Sequence, residues 1–272
     1  MWIDTVTGIL HEAAAAAILP RYRALTAGDV TEKTPGEVVT VADREAEELI
    51  TRGLRTVFDI PVVGEEATAA SPGLVTALRD APAAWLVDPL DGTANFVAGR
   101  PEYAVLAALV RHGRTVASWI VQPAEGRTYV AETGSGAWRD GVRMHRAPAP
   151  TDPAALRGAA PTKFLDPPGQ ARVAAAASRF AALDQGAMCA GFDYPRLVAG
   201  EQDFVLYQRT LPWDHAPGAL LLTEAGGLAR RPDGTPYRPT DTKRGLLIAA
   251  DARCWRTVRA ILAPGPISAP PA

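Results

Sequence analysis

Apolar residues near the start of the chain recur mainly at the spacing of one helix face. Residues 3–25 predict an amphipathic helix that ends near Pro20, and a second helix opens at Asp43 with apolar residues at every third or fourth position. Between them, the polar stretch 26–37 predicts an exposed loop or hairpin, and 38–41 predicts a short strand. The chain is therefore expected to begin with two helices joined by a short extended segment.

Short apolar runs separated by turn residues then replace the helical pattern. The runs that predict strands are 58–63, 84–87, 103–111, 115–121 and 128–132. The turn residues between the last three runs predict an antiparallel meander, and Asp140-Gly141 marks one more tight turn. The first half of the chain is therefore expected to be α+β.

Beyond a proline- and alanine-rich stretch at 147–153, strands and helices alternate. The predicted strands are 156–160, 204–207 and 246–249, and the predicted helices are 169–182, 194–199, 214–225 and 252–262. The fold class is therefore α/β, with an α+β N-terminal half and an α/β C-terminal half in packed layers. Taking 147–153 as a joint gives two predicted domains, 1–146 and 147–272.

The composition is that of a soluble globular protein, with 47% hydrophobic and 21% charged residues. A net charge of −2 without a run of like charges argues against a nucleic-acid partner. No stretch has the length of a membrane span or the pattern of a signal peptide, so we expect no membrane partner and a cytoplasmic location. Cys189 and Cys254 lack C-x-x-C partners and are expected to be free, buried thiols.

Three acidic motifs lie where predicted strands end or a predicted helix begins. They are Gly64-Glu65-Glu66, Asp88-Pro89-Leu90-Asp91-Gly92-Thr93 and Trp213-Asp214. In the second motif, a turn after the strand would make Asp88 and Asp91 face one point, and Gly92 would let the backbone pass close to a ligand. Free N–H groups at Thr93 suit a phosphate oxygen.

Carboxylates from several elements predict a magnesium centre. Mg²⁺ prefers oxygen ligands, and substrate phosphate usually completes its shell. Glu65 and Asp214 would join Asp88 and Asp91, and such clusters hold two ions about 3.5–4 Å apart in two-metal phosphatases. Each motif alone also fits a structural role, either as a helix cap or as a solvated loop. Their combination favours a metal-dependent phosphatase.

The motifs together resemble those of the inositol monophosphatase family of metal-dependent, lithium-sensitive phosphatases. The matching segments are 39–43, 64–66, 85–96, 213–219 and 224–227. Their order and spacing agree with the family across about residues 5–262. Because the family resembles fructose-1,6-bisphosphatase in fold, the resemblance implies a layered αβαβα sandwich. It also implies a small phosphorylated substrate and a homodimer.

The resemblance further implies a set of metal ligands and two to three Mg²⁺ ions. Glu65, Asp88 and the backbone carbonyl of Leu90 would hold the first ion. Asp88, Asp91 and Asp214 would hold the second, and a weaker third ion would lie near Glu65. A water activated by the metals would then hydrolyse the phosphate ester without a phosphoenzyme.

Catalytic and substrate-binding residues follow from the same resemblance. The catalytic set is Asp43, Glu65 and Thr93, and in it Thr93 paired with Asp43 helps to activate the attacking water. The substrate-binding residues are Asp91, Gly92, Thr93, Cys189, Ala190, Tyr207 and Asp214. Glu66 is expected to support the site, and Lys33 matches a basic loop that closes near the metals in the family.

The chain departs from the family pattern before Trp213-Asp214. Inositol-phosphate enzymes of the family have an acidic residue there that contacts substrate hydroxyls, whereas Tyr207 stands here with no adjacent carboxylate. A phenol can bind a sugar hydroxyl, but inositol phosphate becomes less favoured. Arg209 fits a second anionic group of the substrate or, more simply, a surface arginine. His215 fits a packing role better than a metal ligand, because consecutive helical residues point in different directions.

Several functions remain open at this level. The leading hypothesis is hydrolysis of an inositol phosphate or a related polyol or sugar phosphate. Histidinol phosphate, fructose 1,6-bisphosphate and 3′-phosphoadenosine 5′-phosphate are alternative substrates on the same fold. A non-catalytic metal-binding or regulatory protein is an alternative of a different class, and the intact acidic motifs argue against it. A calcium-binding module is disfavoured because the EF-hand loop pattern is missing.

Overall fold

The computed structural model describes residues 1–34 and 36–264. Its helices are α1 Trp2–Ala13, α2 Val41–Val57, α3 Glu65–Ala70, α4 Ala77–Asp80, α5 Thr93–Val97, α6 Pro167–Ala176, α7 Ala190–Ala199, α8 Pro212–Glu224 and α9 Ala252–Leu262. A π-helical turn at Ala14–Ile18 and a 3₁₀ turn at Leu19–Arg21 extend α1, which confirms the predicted first helix. Across the described ranges, every helix is too short or too polar to cross a bilayer.

The strands form three sheets. They are β1 Val30–Thr34, β2 Glu37–Thr40, β3 Val62–Gly64, β4 Ala83–Asp91, β5 Ala104–Arg111, β6 Arg114–Gln122, β7 Arg127–Glu132, β8 Gly136–Arg139, β9 Val142–Met144, β10 Arg157–Ala159, β11 Ala182–Asp184, β12 Phe204–Tyr207, β13 Leu228–Arg230 and β14 Leu246–Ala249. The smallest sheet is the hairpin of β1 and β2, at the place where the polar stretch predicted a loop or hairpin.

The larger N-terminal sheet has seven strands in the order β3-β4-β5-β6-β7-β8-β9. Strand β3 runs parallel to β4, and the remaining neighbours are antiparallel. The predicted meander is therefore confirmed as β5, β6 and β7. Asp140 and Gly141, both with positive φ, make the predicted tight turn between β8 and β9.

The second sheet has five strands in the order β11-β10-β12-β14-β13. Strand β10 runs parallel to both of its neighbours, whereas β14 is antiparallel to both β12 and β13. The sheet is thus mixed, and its central strands are buried on both faces.

Five layers follow from the way alternate strand residues face opposite sides of a sheet. On β5, Val105 packs with α1 and α2, whereas Leu106 packs with α7 and α8. On β12, Val205 packs with α7 and α8, whereas Phe204 packs with α6 and α9. The helix pair α7 and α8 is therefore enclosed between the two large sheets. This arrangement confirms the predicted αβαβα sandwich.

Several element boundaries differ from the predictions. The run 58–63 enters the sheet only at Val62, because hydrophobicity alone does not show where strand pairing begins. The predicted helix 169–182 ends earlier, and its last residue opens β11. Stretch 147–153 lies between the two large sheets in sequence, and the division into two domains there stays a prediction. Residues 265–272 of the second predicted domain, and Pro35 of the predicted loop or hairpin 26–37, lie outside the described residues.

Candidate active site

A pocket of about 210 Å³ lies where β3 and β4 end, beside the first turns of α7 and α8. Its lining includes all of the predicted metal ligands and substrate-binding residues. Asp43 is fully buried and lies behind Thr93, which does line the pocket. The fold therefore brings every predicted site residue to one place, although they come from distant parts of the sequence.

Three carboxylates meet on one side of this pocket. One oxygen from each of Glu65, Asp88 and Asp214 lies within 4.8 Å of the other two. The pKa of both Asp88 and Asp214 is raised well above the usual range, first by burial and second by the charges of neighbouring carboxylates. Such a cluster requires either bound protons or a cation to offset its charge. Its donors are all oxygen atoms, which fits Mg²⁺.

Asp91 lies beside these carboxylates and is held by the start of α7. Its Oδ2 accepts hydrogen bonds from the Gly191 N–H at 2.6 Å and from the Cys189 thiol at 3.0 Å. Burial raises the pKa of Asp91 to about 6. Burial also raises the pKa of the Cys189 thiol, which therefore stays protonated and donates. Both Cys189 and Cys254 are free and buried, as predicted.

The turn that carries Glu65 is fixed from behind by Glu47, a residue that the sequence reasoning missed. The Glu47 carboxylate accepts hydrogen bonds from the N–H groups of Glu66 and Ala67, each at 2.8 Å. A Cβ at Gly64 would lie 2.4 Å from the carboxyl carbon of Glu47, so a larger residue there would displace this carboxylate. The available signal was an acidic residue on the otherwise apolar face of α2.

Lys33, at the hairpin, reaches the same turn. Its Nζ lies 3.0 Å from Oε1 of Glu65, and it also forms an ion pair with Glu66. Burial raises the pKa of Glu66 to about 7, and the neighbouring ammonium opposes that shift. Lys33 is therefore fixed beside a predicted metal ligand, as the basic-loop resemblance implied.

Asp43 and Thr93 form the pair that the resemblance implied. Thr93 Oγ1 donates to Oδ1 of Asp43 at 3.0 Å and also lies 2.9 Å from the carbonyl oxygen of Leu90. The other oxygen of Asp43 accepts from the N–H and hydroxyl of Thr40, at 2.8 and 2.6 Å. Helix α2 therefore has Thr40 as its N-cap and begins at Val41, so the prediction that the helix opens at Asp43 is wrong by two residues. Asp43 closes a capping box and orients Thr93 at the same time.

The turn after β4 explains the glycine at position 92. The backbone N–H of Leu90 donates to Asp88 at 3.0 Å, and the chain then reverses at Gly92, whose φ is +83°. A Cβ at this position would lie 2.7 Å from the carbonyl oxygen of Glu102. Gly92 is thus required by its own backbone and by protein packing, in addition to any approach to a ligand.

Comparison with known proteins agrees with this geometry. The family model described as the inositol monophosphatase family matches residues 2–263. The chain belongs to the inositol monophosphatase family. It is accordingly a phosphatase, a phosphoric monoester hydrolase.

Individual relatives and solved structures are similar to this chain over most of its length. A fructose-1,6-bisphosphatase/inositol-1-monophosphatase of Thermotoga maritima is 31% identical over 206 residues, which are 74% of each chain. An inositol-1-monophosphatase of Mesorhizobium japonicum is 33% identical and covers 75% of this chain and 76% of its own. The crystal structure of an extragenic suppressor protein SuhB from Bartonella henselae has a TM-score of 0.81 at 24% identity, covering 97% of this chain and 99% of its own. That last similarity shows the fold.

In this inositol monophosphatase family member, Tyr207 meets a carboxylate that the sequence did not reveal. Tyr207 donates to Oδ2 of Asp193 at 3.2 Å, and both residues line the pocket. No carboxylate is adjacent to Tyr207 in the sequence, but the fold places Asp193 next to it. Burial raises the pKa of Asp193 to about 7. An acidic residue within the apolar run of α7 was the signal.

Arg209 is not a simple surface arginine. It lines the pocket, forms an ion pair with Glu37 of the hairpin, and lies over the ring of Phe164 at 4.2 Å from the centroid. These contacts orient the guanidinium at the pocket mouth. Arg209 is therefore partly exposed, as the simpler interpretation from the sequence expected, and it is also placed where it could meet an anionic group.

His215 has the packing role that was expected. Its Nε2 lies 3.1 Å from the carbonyl oxygen of Arg209, so it must carry the proton, and its Nδ1 accepts from the Tyr194 hydroxyl at 3.2 Å. Burial lowers the pKa of His215 to about 4, so the ring is neutral. Asp214, its neighbour, lies inside α8 rather than at the N-cap, because the helix begins at Pro212.

Proposed function

We propose that this phosphatase hydrolyses a small phosphate monoester, an inositol phosphate or a related polyol or sugar phosphate, in a Mg²⁺-dependent reaction. The observation that carries the proposal is the group of Glu65, Asp88 and Asp214, one buried and two half-buried, whose carboxylate oxygens lie within 4.8 Å of one another in a pocket. A hard divalent cation offsets the charge of such a group. The relatives' names support a phosphorylated small-molecule substrate.

Two to three Mg²⁺ ions would be held by these carboxylates together with Asp91 and the carbonyl of Leu90. That carbonyl oxygen lies 2.9 Å from Thr93 Oγ1, whose single proton goes to Asp43, so the carbonyl keeps its lone pairs for an ion. When bound, the ions would lower the pKa of a water nucleophile and offset the charge on the phosphoryl oxygens. Asp91 is oriented for this role by the Gly191 N–H and the Cys189 thiol.

Protein groups would position the water and the phosphate. Asp43 accepts a hydrogen bond from the Thr93 hydroxyl. The lone pairs of that hydroxyl are then free to accept a hydrogen bond from the attacking water. Backbone N–H groups at Gly92 and Thr93 would bind phosphate oxygens, because they lie at the first turn of α5. Glu65 would be a metal ligand and would also lie near the attacking water.

The far side of the pocket supports a hydroxyl-rich substrate. Tyr207 and Asp193 can each bind a hydroxyl, and Ala190 and Cys189 leave space beside them. Arg209 adds a positive charge at the mouth, which favours members of this substrate class that carry a second anionic group. Fructose 1,6-bisphosphate is the first such candidate, and histidinol phosphate and 3′-phosphoadenosine 5′-phosphate stay as alternatives.

A substrate panel tests the proposal directly. Phosphate release would be measured with Mg²⁺ from myo-inositol 1-phosphate, fructose 1,6-bisphosphate, histidinol phosphate and 3′-phosphoadenosine 5′-phosphate, each with and without EDTA. We expect one polyol or sugar phosphate to be preferred and its hydrolysis to stop on chelation. Full activity in EDTA would contradict the metal-dependent mechanism, and preference for either of the last two substrates would contradict the substrate class.

A homodimer in the cytoplasm is proposed by resemblance to the family. Light scattering coupled to gel filtration would measure the mass in solution. A mass near twice 28.7 kDa is expected. A mass near a single chain at micromolar concentration would contradict it.

A further inference from the structure

A second concave surface lies outside the active site, and arginines dominate it. It is a depression of about 400 Å³ on the side of the five-stranded sheet where α6 and α9 pack. Four arginines border it, namely Arg172 of α6, Arg231 after β13, Arg244 before β14 and Arg259 of α9. We call these four residues and the space between them the arginine pocket. Its volume falls within the range of small-molecule sites.

Two of these arginines are buried, which distinguishes the arginine pocket from an ordinary basic surface. Arg231 is 1% exposed and Arg259 is 9% exposed. Arginine is almost never buried without a partner or a purpose, because removing its charge from water is costly. The fold therefore holds two guanidinium groups at a fixed place and does not leave them to move freely in solvent.

The contacts of Arg231 hold it rigidly, over the ring of Tyr237, and leave one of its nitrogens without a hydrogen bond. Its Nε lies 3.1 Å from the Asp241 carboxylate, and its Nη1 donates to the carbonyls of Lys243 and Gly245 at 2.7 and 3.1 Å. Its Nη2 is buried and has no hydrogen-bond partner among the described residues. An unpaired buried donor is uncommon, and an additional ligand such as an anion or a water accounts for one.

Among the residues that the structure describes, the acidic neighbours of the arginine pocket are paired with Lys243 and Arg231, and not with Arg172 or Arg244. Asp233 is the acidic residue on its lining, and it lies 3.1 Å from the ammonium of Lys243. Asp241 is taken by Arg231. Arg172 and Arg244 are exposed and form no ion pair with any residue in the described ranges. Arg259 has partners of its own, among them the carbonyl oxygen of Pro232 at 2.6 Å, and the exposed charges of Arg172 and Arg244 are the ones that an anion would offset.

We propose that the arginine pocket binds a small polyphosphorylated anion, at a site separate from the active site. Guanidinium groups match phosphate oxygens by paired hydrogen bonds, and two fixed arginines with two adaptable ones suit a ligand that carries several phosphates. The site is next to the catalytic pocket, since Gln208 borders both depressions and directly precedes Arg209. The ligand class follows from the charge and size of the arginine pocket and does not depend on the substrate of the enzyme.

Calorimetric titration of the full chain with inorganic tripolyphosphate tests the proposal. The titration is made at low ionic strength in EDTA, because without metal ions the carboxylates of the active site repel an anion. We expect binding of one tripolyphosphate per chain, weakened by added salt. The double variant Arg172→Gln/Arg244→Gln should lower the affinity at least about tenfold, since each charged hydrogen bond contributes at about that level. Both residues are exposed, so the variant is expected to fold and to keep the parental rate of phosphate release.

Two control variants make the outcome specific. Arg256→Gln removes an exposed arginine of α9 that does not line the arginine pocket. The affinity of this variant for tripolyphosphate should equal that of the parent. Arg209→Gln changes the active-site mouth and should also leave the affinity unchanged. Absence of binding by the parent would overturn the proposal. Unchanged affinity in the double variant, or an equal loss of affinity in Arg256→Gln, would also overturn it. A loss of affinity confined to Arg209→Gln would overturn it too, because the anion would then bind in the active site.

Discussion

Tyr207 donates a hydrogen bond to Oδ2 of Asp193 at 3.2 Å, and the two side chains together form one wall of the catalytic pocket. Asp193 is anchored on its other oxygen by the Ala187 N–H at 2.8 Å. Tyr207 is nearest to the position where inositol-phosphate enzymes resembling this chain have an acidic residue. The pair therefore offers both a phenol and a carboxylate to a substrate hydroxyl, in place of one carboxylate.

Substitution of Tyr207 by Phe should weaken substrate binding more than turnover. Loss of one hydrogen bond to a neutral partner costs about 0.5–1.5 kcal/mol, so we expect KM to rise about threefold to tenfold with kcat changed less. Steady-state kinetics on the preferred substrate of the panel provide the measurement. Tyr129→Phe, which alters a buried tyrosine on β7 outside the pocket lining, is the matched control. An unchanged KM would remove Tyr207 from the substrate-binding set.

The buried carboxyl of Asp193 predicts a pH dependence of stability. Its pKa is raised from 3.8 to about 7 by burial, so between these values the folded chain binds more protons than the unfolded chain. The contribution of Asp193 is then fully favourable below about pH 4 and is lost as the pH rises through 7, by at most about 1.4 kcal/mol per pH unit.

Urea denaturation of Asp193→Asn between about pH 4.5 and 7.5 measures this contribution. Asn cannot ionise, so the variant should gain stability relative to the parent as the pH rises. The comparison with the parent isolates Asp193 from Asp91 and Glu66, which also titrate in that range. The exposed Asp80→Asn serves as control and should differ from the parent by a constant amount. A constant difference for Asp193→Asn as well would contradict the predicted protonation.

Replacing Asp88 by Asn should abolish turnover and preserve the fold. Asp88 belongs to the three-carboxylate group, so its loss should lower phosphate release by more than about a hundredfold. In EDTA, the variant should be at least as stable as the parent, because one of several mutually repelling carboxylates is gone. Phosphate-release assays and thermal melts would measure the two effects. Retained turnover would contradict the proposed role of Asp88 as a metal ligand.

Mg²⁺ should stabilise the folded chain through these carboxylates. A ligand present at about a hundred times its Kd adds about 2.7 kcal/mol, which corresponds to a rise in Tm of about 5 °C or more for a chain of this size. The Tm would be compared in Mg²⁺ and in EDTA for the parent and for Asp214→Asn, which should lose most of the rise. Equal shifts in both proteins would indicate that the ion binds elsewhere.

Arg209→Gln should discriminate between substrates with one and two anionic groups. The guanidinium lies at the pocket mouth over Phe164, so we expect KM for fructose 1,6-bisphosphate to rise about tenfold, and KM for myo-inositol 1-phosphate to change much less. Arg256→Gln provides the control for a lost surface charge. Equal effects on the two substrates would show that Arg209 acts only through its ion pair with the hairpin.

Sequence by itself determined the layers of this phosphatase and named the residues of its proposed metal site. The period of the apolar residues depends on local backbone geometry, and it therefore identified α9, β12 and β14 at the bounds observed. The acidic motifs are short and contiguous, so Glu65, Asp88, Asp91 and Asp214 could be named before their proximity was known.

Only the tertiary structure decided what lies beside those residues. The contacts of Glu47, Asp193 and Arg209 were not predicted, because their partners lie on other elements, namely the α3 turn, Tyr207 and Glu37. The arginine pocket was equally invisible, since its four arginines are spread between positions 172 and 259. Hydrophobic pattern records which face of an element is buried, whereas the partner of a buried charge depends on how layers from distant segments pack together.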